Sequence, residues 1–584
     1  MATSARVTVS FGWLRGGALA LFAIGAAPHA MAQSAPDANA HAIPDDNQVL
    51  LPSLKGLRFV DAVAKVDANG SAIMGVTVDG PNILYSPGIL QRLQAFIGKP
   101  LVKSDLQRIT KTVSDWYATR NRPYVDVEFP EQDVSTGVLQ VVVTEFRAGN
   151  IKVKGNGWFS SSLILSDIRL QPGDPIDARK LNDDVAYLNQ SDFRDVRIVL
   201  EKSDKIGATD LVVETNDSFP LRFSAGYANN GTPVVGRDRW NAGITWGNAF
   251  WLDQQISYQF TSSTDFWLHP TDVPVELGKS EFADHSGSWT IPLPWRDRII
   301  FFGDYAQVRP DLGPDLGDVG TNWQASVRYD APITLKNWPL QEVQLGFDFK
   351  RSNNNLEFGG FQISNSQTDI DQFVLSYGTA IPDSWGQTKF SDRLAYSPGD
   401  LSSFNNDIAF QPSQTHSGTP YAKANYVYND FSVNRLTRLP ADIGLVTRLE
   451  AQYSSANLLP SERLAAGGAD SVRGYDPYAA SGTIGYLFSQ EVRSPVYTPL
   501  ADLFGSKSID DKLQFDAFYD FGYVRDRFIT PGDKRSYYLD SAGAGFQYAV
   551  GRYLSLKIDY GFRLRKLSGV SKGGLVQATV TLSN

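Results

Sequence analysis

At 584 residues the chain is too long for one ordinary core, since a single hydrophobic core rarely grows past about 250 to 300 residues. The absence of cysteine excludes disulfide staples, thiolate nucleophiles and cysteine-ligated metals together, and the five histidines never fall at i, i+4 spacing, so neither a metal nor a cofactor is expected. A formal charge of -9 argues against a general nucleic-acid binder, whose phosphate contacts need a basic field.

The first segment reads as an address. Arg6 and Arg15 precede an apolar run from Gly16 to Ala27, and Ala30-Met31-Ala32 stands before Gln33. A basic start, a short apolar centre and a small-residue site predict a cleavable signal peptide over residues 1–32, followed by a lead over residues 33–49. The apolar run is too short for a spanning helix, which needs about 20 residues, and no later stretch is long enough. A membrane location would therefore require a β-barrel.

Residues 50–217 mix helix and strand signals. Ser86-Pro87 predicts an N-cap and first turn, with Leu90, Leu93 and Ile97 on one face. Ser104 to Gln107 predicts a capping box, followed by the stripe Leu106, Ile109, Val113 and Trp116. Strand-like runs from Tyr124 to Phe129 and from Val138 to Val143 close this unit. The plan then restarts: a strand at Ile151 to Val153, a helix from Ser160 to Leu170, and a second helix capped by Asp177 with Leu181, Val185 and Leu188 inward. Strands from Val196 to Glu201 and from Asp210 to Glu214 finish it.

Pro130-Glu131-Gln132-Asp133-Val134 with Gly137-Val138-Leu139, then Leu188-Asn189, Arg194-Asp195-Val196 and Gly207 to Leu211, resemble the two POTRA domains of two-partner secretion transporters. Where that family usually places Asn-Pro, this chain has Gln190 to Phe193. The resemblance implies POTRA domains over residues 50–147 and 148–217 that hold an unfolded, secreted exoprotein client in the periplasm. Exposed strand edges supply a physical means, because an extended segment pairs with backbone whatever its side chains. A domain that merely spaces the barrel is the alternative.

From residue 218 the helix signals stop and period-two runs take over. Leu554, Leu556, Ile558, Tyr560, Phe562 and Leu564 alternate with Ser555, Lys557, Asp559, Gly561, Arg563 and Arg565. Val343, Leu345, Phe347 and Phe349 alternate with polar residues, as do Val576, Ala578, Val580 and Leu582. Trp240, Trp246, Trp251, Trp289, Trp295 and Trp338 lie near run ends, where girdles at the lipid interface would place them. Short connections such as Pro292 to Arg296 alternate with long polar ones such as Thr264 to Lys279. About sixteen such runs predict a C-terminal transmembrane antiparallel β-barrel over residues 218–584 in the outer membrane, in contact with its lipid. Its insertion would use the barrel-assembly machinery, although the chain ends Leu582-Ser583-Asn584 rather than in an aromatic residue. A secreted multi-sandwich adhesin is the structural alternative, but it leaves the tryptophans unexplained.

Val472-Arg473-Gly474-Tyr475 lies in a long connection and looks like the VRGY motif of outer-membrane assembly and secretion barrels, carried there on a loop folded back into the barrel; here that loop spans residues 457–481. Phe518, Asp520 and Gly522 look like the family's F-x-D-x-G strand motif. Parity supports the pairing independently. In the run from Leu513 to Val524, the alternate residues Leu513, Phe515, Ala517, Tyr519, Phe521 and Tyr523 face lipid, which puts Gln514, Asp516, Phe518, Asp520 and Gly522 in the lumen. An apolar Phe518 there calls for a cover, and Gly522 leaves room for a backbone to approach. Arg473 is expected to pair with Asp520. Such a pair contributes only about 0.2 to 1 kcal/mol if water reaches it, and is costly to break from one side if dry.

No nucleotide-binding GxxxxGK[ST] and no hydrolase motif is present. The expected function is translocation of an exoprotein by two-partner secretion, without enzymatic activity. An insertion factor for other barrels, an outer-membrane enzyme and a passive porin are the alternatives.

Overall fold

The computed structural model describes residues 48–205, 207–268, 281–310, 316–333, 339, 341–358, 361–413, 416, 418–505, 509–567 and 573–584. The expected signal peptide, nearly all of the lead, Trp338 and part of the connection from Thr264 to Lys279 lie outside the described residues. The chain divides into two compact units that meet between Pro220 and Leu221.

In the N-terminal unit, Val49–Leu51 (β1), Gly56–Val60 (β2) and Gly75–Asp79 (β3) precede the helix Pro87–Gln94 (α1). Leu101–Val102 (β4), the helix Lys103–Ala118 (α2), Val125–Glu128 (β5) and Val138–Glu145 (β6) follow. The sheet runs β3-β2-β6-β5, with β2 parallel to both neighbours. Leu57, Phe59, Val141 and Val143 project from it onto Ile89, Leu93, Ile109 and Val113 of the two helices, all fully buried. Two expectations shift. The N-cap at Ser86 is as expected, but Ile89 rather than Leu90 shares the buried face of α1 with Leu93, four residues on, and Ile97 lies past the helix end at Gln94. Helix α2 starts at Lys103, so Asp105 rather than Ser104 does the capping: its carboxylate accepts the Val102 N–H at 3.1 Å.

The second half of this unit packs Arg147–Lys154 (β7), Ala208–Asp217 (β9) and Arg194–Lys202 (β8) in the order β7-β9-β8, against Ser161–Ser166 (α3) and Ala178–Leu188 (α4). Helix α3 ends at Ser166, short of Leu170. Beyond it the Arg169 N–H is taken by the buried Asp184 carboxylate at 2.9 Å, a bond that a continuing helix would have used internally. The Leu-Asn and Arg-Asp-Val segments have a structural reason to be there. Asn189 accepts the Val196 N–H at 2.6 Å and donates to its carbonyl at 2.8 Å, while buried Arg194 donates to the Leu188 carbonyl at 2.7 Å. The end of α4 is thereby fixed to the start of β8.

The C-terminal unit is a closed antiparallel barrel of sixteen strands. They are Leu221–Ala228 (β10), Arg239–Ala249 (β11), Gln254–Ser262 (β12), Phe282–Pro292 (β13), Arg298–Val308 (β14), Leu316–Ile333 (β15), Gln341–Phe358 (β16) and Phe361–Asp383 (β17). Gly386–Pro398 (β18), Asn425–Arg438 (β19) and Gly444–Ser454 (β20) continue the wall. After an inserted hairpin of Leu464–Ala466 (β21) and Ala480–Gly482 (β22), Ile484–Arg493 (β23), Asp511–Arg525 (β24), Tyr537–Val550 (β25), Leu554–Arg563 (β26) and Gly574–Ser583 (β27) complete it. The first and last strands close the ring by pairing Ser224 to Ala228 with Thr579 to Ser583.

The period-two pattern has the expected cause. Leu345, Phe373, Phe515, Tyr560, Val576 and Leu582 are exposed on the outer surface, whereas Gln344, Asp348, Asp516, Asp559 and Gln577 are buried. An inside-out polarity of this kind suits a wall with lipid outside and a filled lumen inside. Trp240, Trp251, Trp289 and Trp295 are exposed, as a lipid-interface girdle requires.

Candidate functional site: a loop anchored inside the barrel

Between β20 and β23 the chain turns into the lumen instead of out into solvent. The β21–β22 hairpin pairs Leu464, Ala465 and Ala466 with Gly482, Ser481 and Ala480. Gly467 and Gly468, with φ of +107° and +105°, turn the chain at its end. Apolar contact seats the insert: Leu464, Ala466, Val472 and Tyr475 pack with Leu487 of β23, Val524 of β24 and Leu539 of β25.

Arg473 is 1% exposed, the largest fully buried side chain among the described residues. Its Nε and Nη2 donate to the two oxygens of Asp520 at 2.8 and 2.9 Å, and its backbone N–H reaches the same carboxylate at 3.0 Å. Nη1 donates to Glu491 at 2.8 Å and Nη2 to the Ser489 hydroxyl at 3.2 Å; Ser489 in turn donates to Asp520. Asp559 stands 3.6 Å from Nη1. Phe518 lies under the guanidinium, whose carbon is 3.4 Å from the ring centroid, so the cover of this lumenal phenylalanine is a cation on its face. The arrangement is the dry, bidentate one, which decides between the two energetic cases left open by the sequence.

The flanking motif residues have separate tasks. Val472 fills the space over Gly522: a Cβ there would come within 2.9 Å of its Cγ2, so the approach is made by a side chain and not by backbone as expected. Gly474 (φ +89°) meets Gly561 backbone to backbone; a Cβ on Gly474 would stand 2.5 Å from the Gly561 carbonyl oxygen. Tyr475 is fully buried and its hydroxyl donates to the Arg565 carbonyl. All seven motif residues thus meet in one place. Glu491, Ser489, Gly561 and Gln577 also belong to it. Their lumenal parity was readable in the sequence, but no pattern singled them out.

A second contact was not anticipated. Glu462, on the limb leading into the hairpin, is 1% exposed and accepts from Lys350 Nζ at 2.6 Å, Tyr428 Oη at 2.6 Å and Gln372 Nε2 at 3.1 Å. These donors come from β16, β19 and β17, away from the strands that hold Arg473.

Comparison with known proteins follows the same lines. A family model described as haemolysin secretion/activation protein ShlB/FhaC/HecB matches residues 207–548. A ShlB-type POTRA domain matches residues 72–145, and a POTRA model described as surface antigen variable number repeat matches residues 146–216. The chain is similar to the heme/hemopexin transporter protein HuxB of Haemophilus influenzae, 22% identical over 475 residues that cover 79% of this chain and 78% of that protein. It is also similar to the outer membrane transporter CdiB of Dickeya dadantii, 20% identical over 392 residues and 66% of each chain. In fold it resembles CdiB from Escherichia coli, with a TM-score of 0.68 at 15% identity over 94% of this chain and 93% of that one.

Proposed function

Because the chain belongs to the haemolysin secretion/activation protein family, the outer-membrane transporters of two-partner secretion, we propose a division of labour for its two units in moving an exoprotein. The POTRA domains in the periplasm capture the unfolded client, and the barrel passes it outward once loop 457–481 gives way. Capture uses strand edges. In the second POTRA domain both β7 and β8 are outer strands, and in the first β3 and β5 are, so each sheet offers backbone donors and acceptors to an extended segment. Insertion of the barrel itself relies on the cell's barrel-assembly machinery.

The observation that carries the reading is the Arg473–Asp520 contact: a loop tip held by directed bonds inside the conduit that a client must use. The pore-loop residues Val472, Arg473, Gly474 and Tyr475, with Phe518, Asp520 and Gly522 on the wall, set the closed position. Deleting the gene should remove one large protein from the medium while other outer-membrane barrels remain normal. Loss of many barrels would instead mark the chain as an insertion factor. Secretion unchanged in both Arg473→Ala and Asp520→Ala would remove the functional meaning of the contact.

A further inference from the structure

Two of the insert's charged contacts are fully buried, and they have opposite polarity. At Arg473 a cation on the loop enters an anionic recess of Asp520, Glu491 and Asp559. At Glu462 an anion on the loop enters a wall of donors, with Lys350, Tyr428 and Gln372 bonded to it directly. Those donors are themselves held in place. Gln372 accepts from Tyr426 at 2.9 Å and donates to Asp348 at 3.1 Å, and Asp348 also takes the Arg328 guanidinium at 2.6 Å. An apolar layer keeps the cluster dry: Phe410, Leu458, Leu459 and Tyr426 pack above it, Phe410 coming from the one-turn helix Asp407–Phe410 in the β18–β19 connection.

The placement matters more than the number of bonds. Glu462 is tied to β16, β17 and β19, and Arg473 to β23 and β24, so the segment between them crosses the lumen from one part of the wall to another. Arg463, the neighbour of Glu462, turns the other way and donates to Asp526 at 2.7 Å. A strap fastened at one end can swing aside; one fastened at both ends blocks the conduit until both ends are free.

We propose that Glu462, with Lys350, Gln372 and Tyr428, is a second latch that positions the loop across the lumen, and that the conduit opens only when this latch and the Arg473 latch are both released. The inference rests on the reading that the loop must give way during transport. Glu462 acts through the loop it holds, as a positioning residue. Loss of its charge removes the carboxylate bonded to Lys350 and weakens one fastening, while the other still keeps the loop mostly inside. Loss of both leaves the apolar seat and the more exposed pairs Arg463–Asp526 and Asp476–Arg237, which hold the loop less firmly.

The test is the current carried by the full-length protein in planar bilayers, with heat-modifiable gel mobility as the check that each barrel is folded. Glu462→Gln and Lys350→Met should each raise the mean current, on the order of tenfold for the loss of a buried charged bond. The double variant should do no more than the larger single, because one pair has been removed once. Glu462→Gln combined with Arg473→Ala should raise the current over the parent by at least the product of the two single effects. Tyr428→Phe removes a single hydroxyl, folds if the charge variants do not, and should give a smaller rise in the same direction. The proposal is overturned if Arg473→Ala raises the current while Glu462→Gln and Tyr428→Phe leave it at the parent level, or if the effects of Glu462→Gln and Lys350→Met multiply. If Arg473→Ala and Glu462→Gln both leave the current unchanged, the premise of a gating loop falls, and the second latch with it.

Discussion

Arg473→Ala is the most direct perturbation of the closed state. It removes two side-chain bonds to Asp520, one to Glu491 and one to Ser489, and leaves Asp520 buried beside Asp516 and Asp559 without the guanidinium that bonds it, while Glu491 keeps its bond from Arg493. Breaking a buried pair from one side costs about 3 to 5 kcal/mol. The apolar seat of Val472 and Tyr475 is retained, so the loop is loosened and not expelled. Taking the lower figure of about 3 kcal/mol, the displaced population rises by roughly two orders of magnitude, at about 1.4 kcal/mol per factor of ten. The chain contains no cysteine, so a single reporter is clean. Ala466→Cys places a thiol on the buried face of the hairpin, and its rate of labelling by a soluble maleimide follows the open population. Arg473→Ala should accelerate labelling by about a hundredfold, and Arg473→Lys, which keeps the charge but not the bidentate fork, by less. A rate within about twofold of the parent would refute the reasoning, because a buried guanidinium with four bonds cannot be energetically silent.

Locking the loop gives the converse experiment. The Ala466 Cβ stands 3.3 Å from where a Cβ on Gly522 would be, near the separation that a disulfide spans, so oxidised Ala466→Cys/Gly522→Cys should lose secretion and regain it on reduction; secretion by the oxidised form would mean that the loop stays in place during transport. Gly474→Ala and Gly561→Ala each insert a methyl where two backbones touch, and both should raise bilayer conductance, whereas Gly505→Ala, also at positive φ but with open space around it, should not. In the second POTRA domain, the Asn150 N–H and then the Ser203 hydroxyl hold the Asp210 carboxyl below the usual range. A depressed pKa contributes stability that is present above the unfolded value of about 3.9 and is lost as pH falls through the folded value. Acidification below about pH 4 should therefore increase protease cleavage of the periplasmic unit more in the parent than in Asp210→Asn, and equal slopes would contradict the assignment.

What was legible in the sequence follows from which interactions are periodic. Sixteen strands could be read because a wall between lipid and lumen imposes period two along its whole length, and Tyr519 and Asp520 must face opposite ways. Parity also exposed the anomaly at Phe518, an aromatic residue on the polar face, and so pointed to a partner for it. Helix starts were less legible. Whether Ser104 or Asp105 caps α2 depends on one hydrogen bond to Val102, which composition does not encode. Glu462 was invisible for a different reason. It sits in an aperiodic turn, and its donors Lys350, Gln372 and Tyr428 lie 112, 90 and 34 residues away, brought to it only by strand pairing in the wall and the inward fold of the loop. Each of those donors looked like one more lumenal polar residue.

A plug held by charge behaves differently from one held by grease. Leu464, Ala466, Val472 and Tyr475 supply the loop's apolar contact, but apolar burial is non-directional and would tolerate a shifted loop. The bidentate Arg473–Asp520 pair fixes one position, since its bonds fail when the geometry changes. Charge pairs also depend on dryness. At about 4 Å a unit pair is worth about 4 kcal/mol at an effective dielectric of 20, and about 1 kcal/mol in water. An extended client entering the lumen brings polar backbone and hydration with it. On the proposed mechanism the first latch to admit water loses most of its strength, and the freed segment then exposes the other. The loop is therefore firm while its contacts are dry and weak once they are wet, which lets the transporter stay closed at rest and open to its cargo.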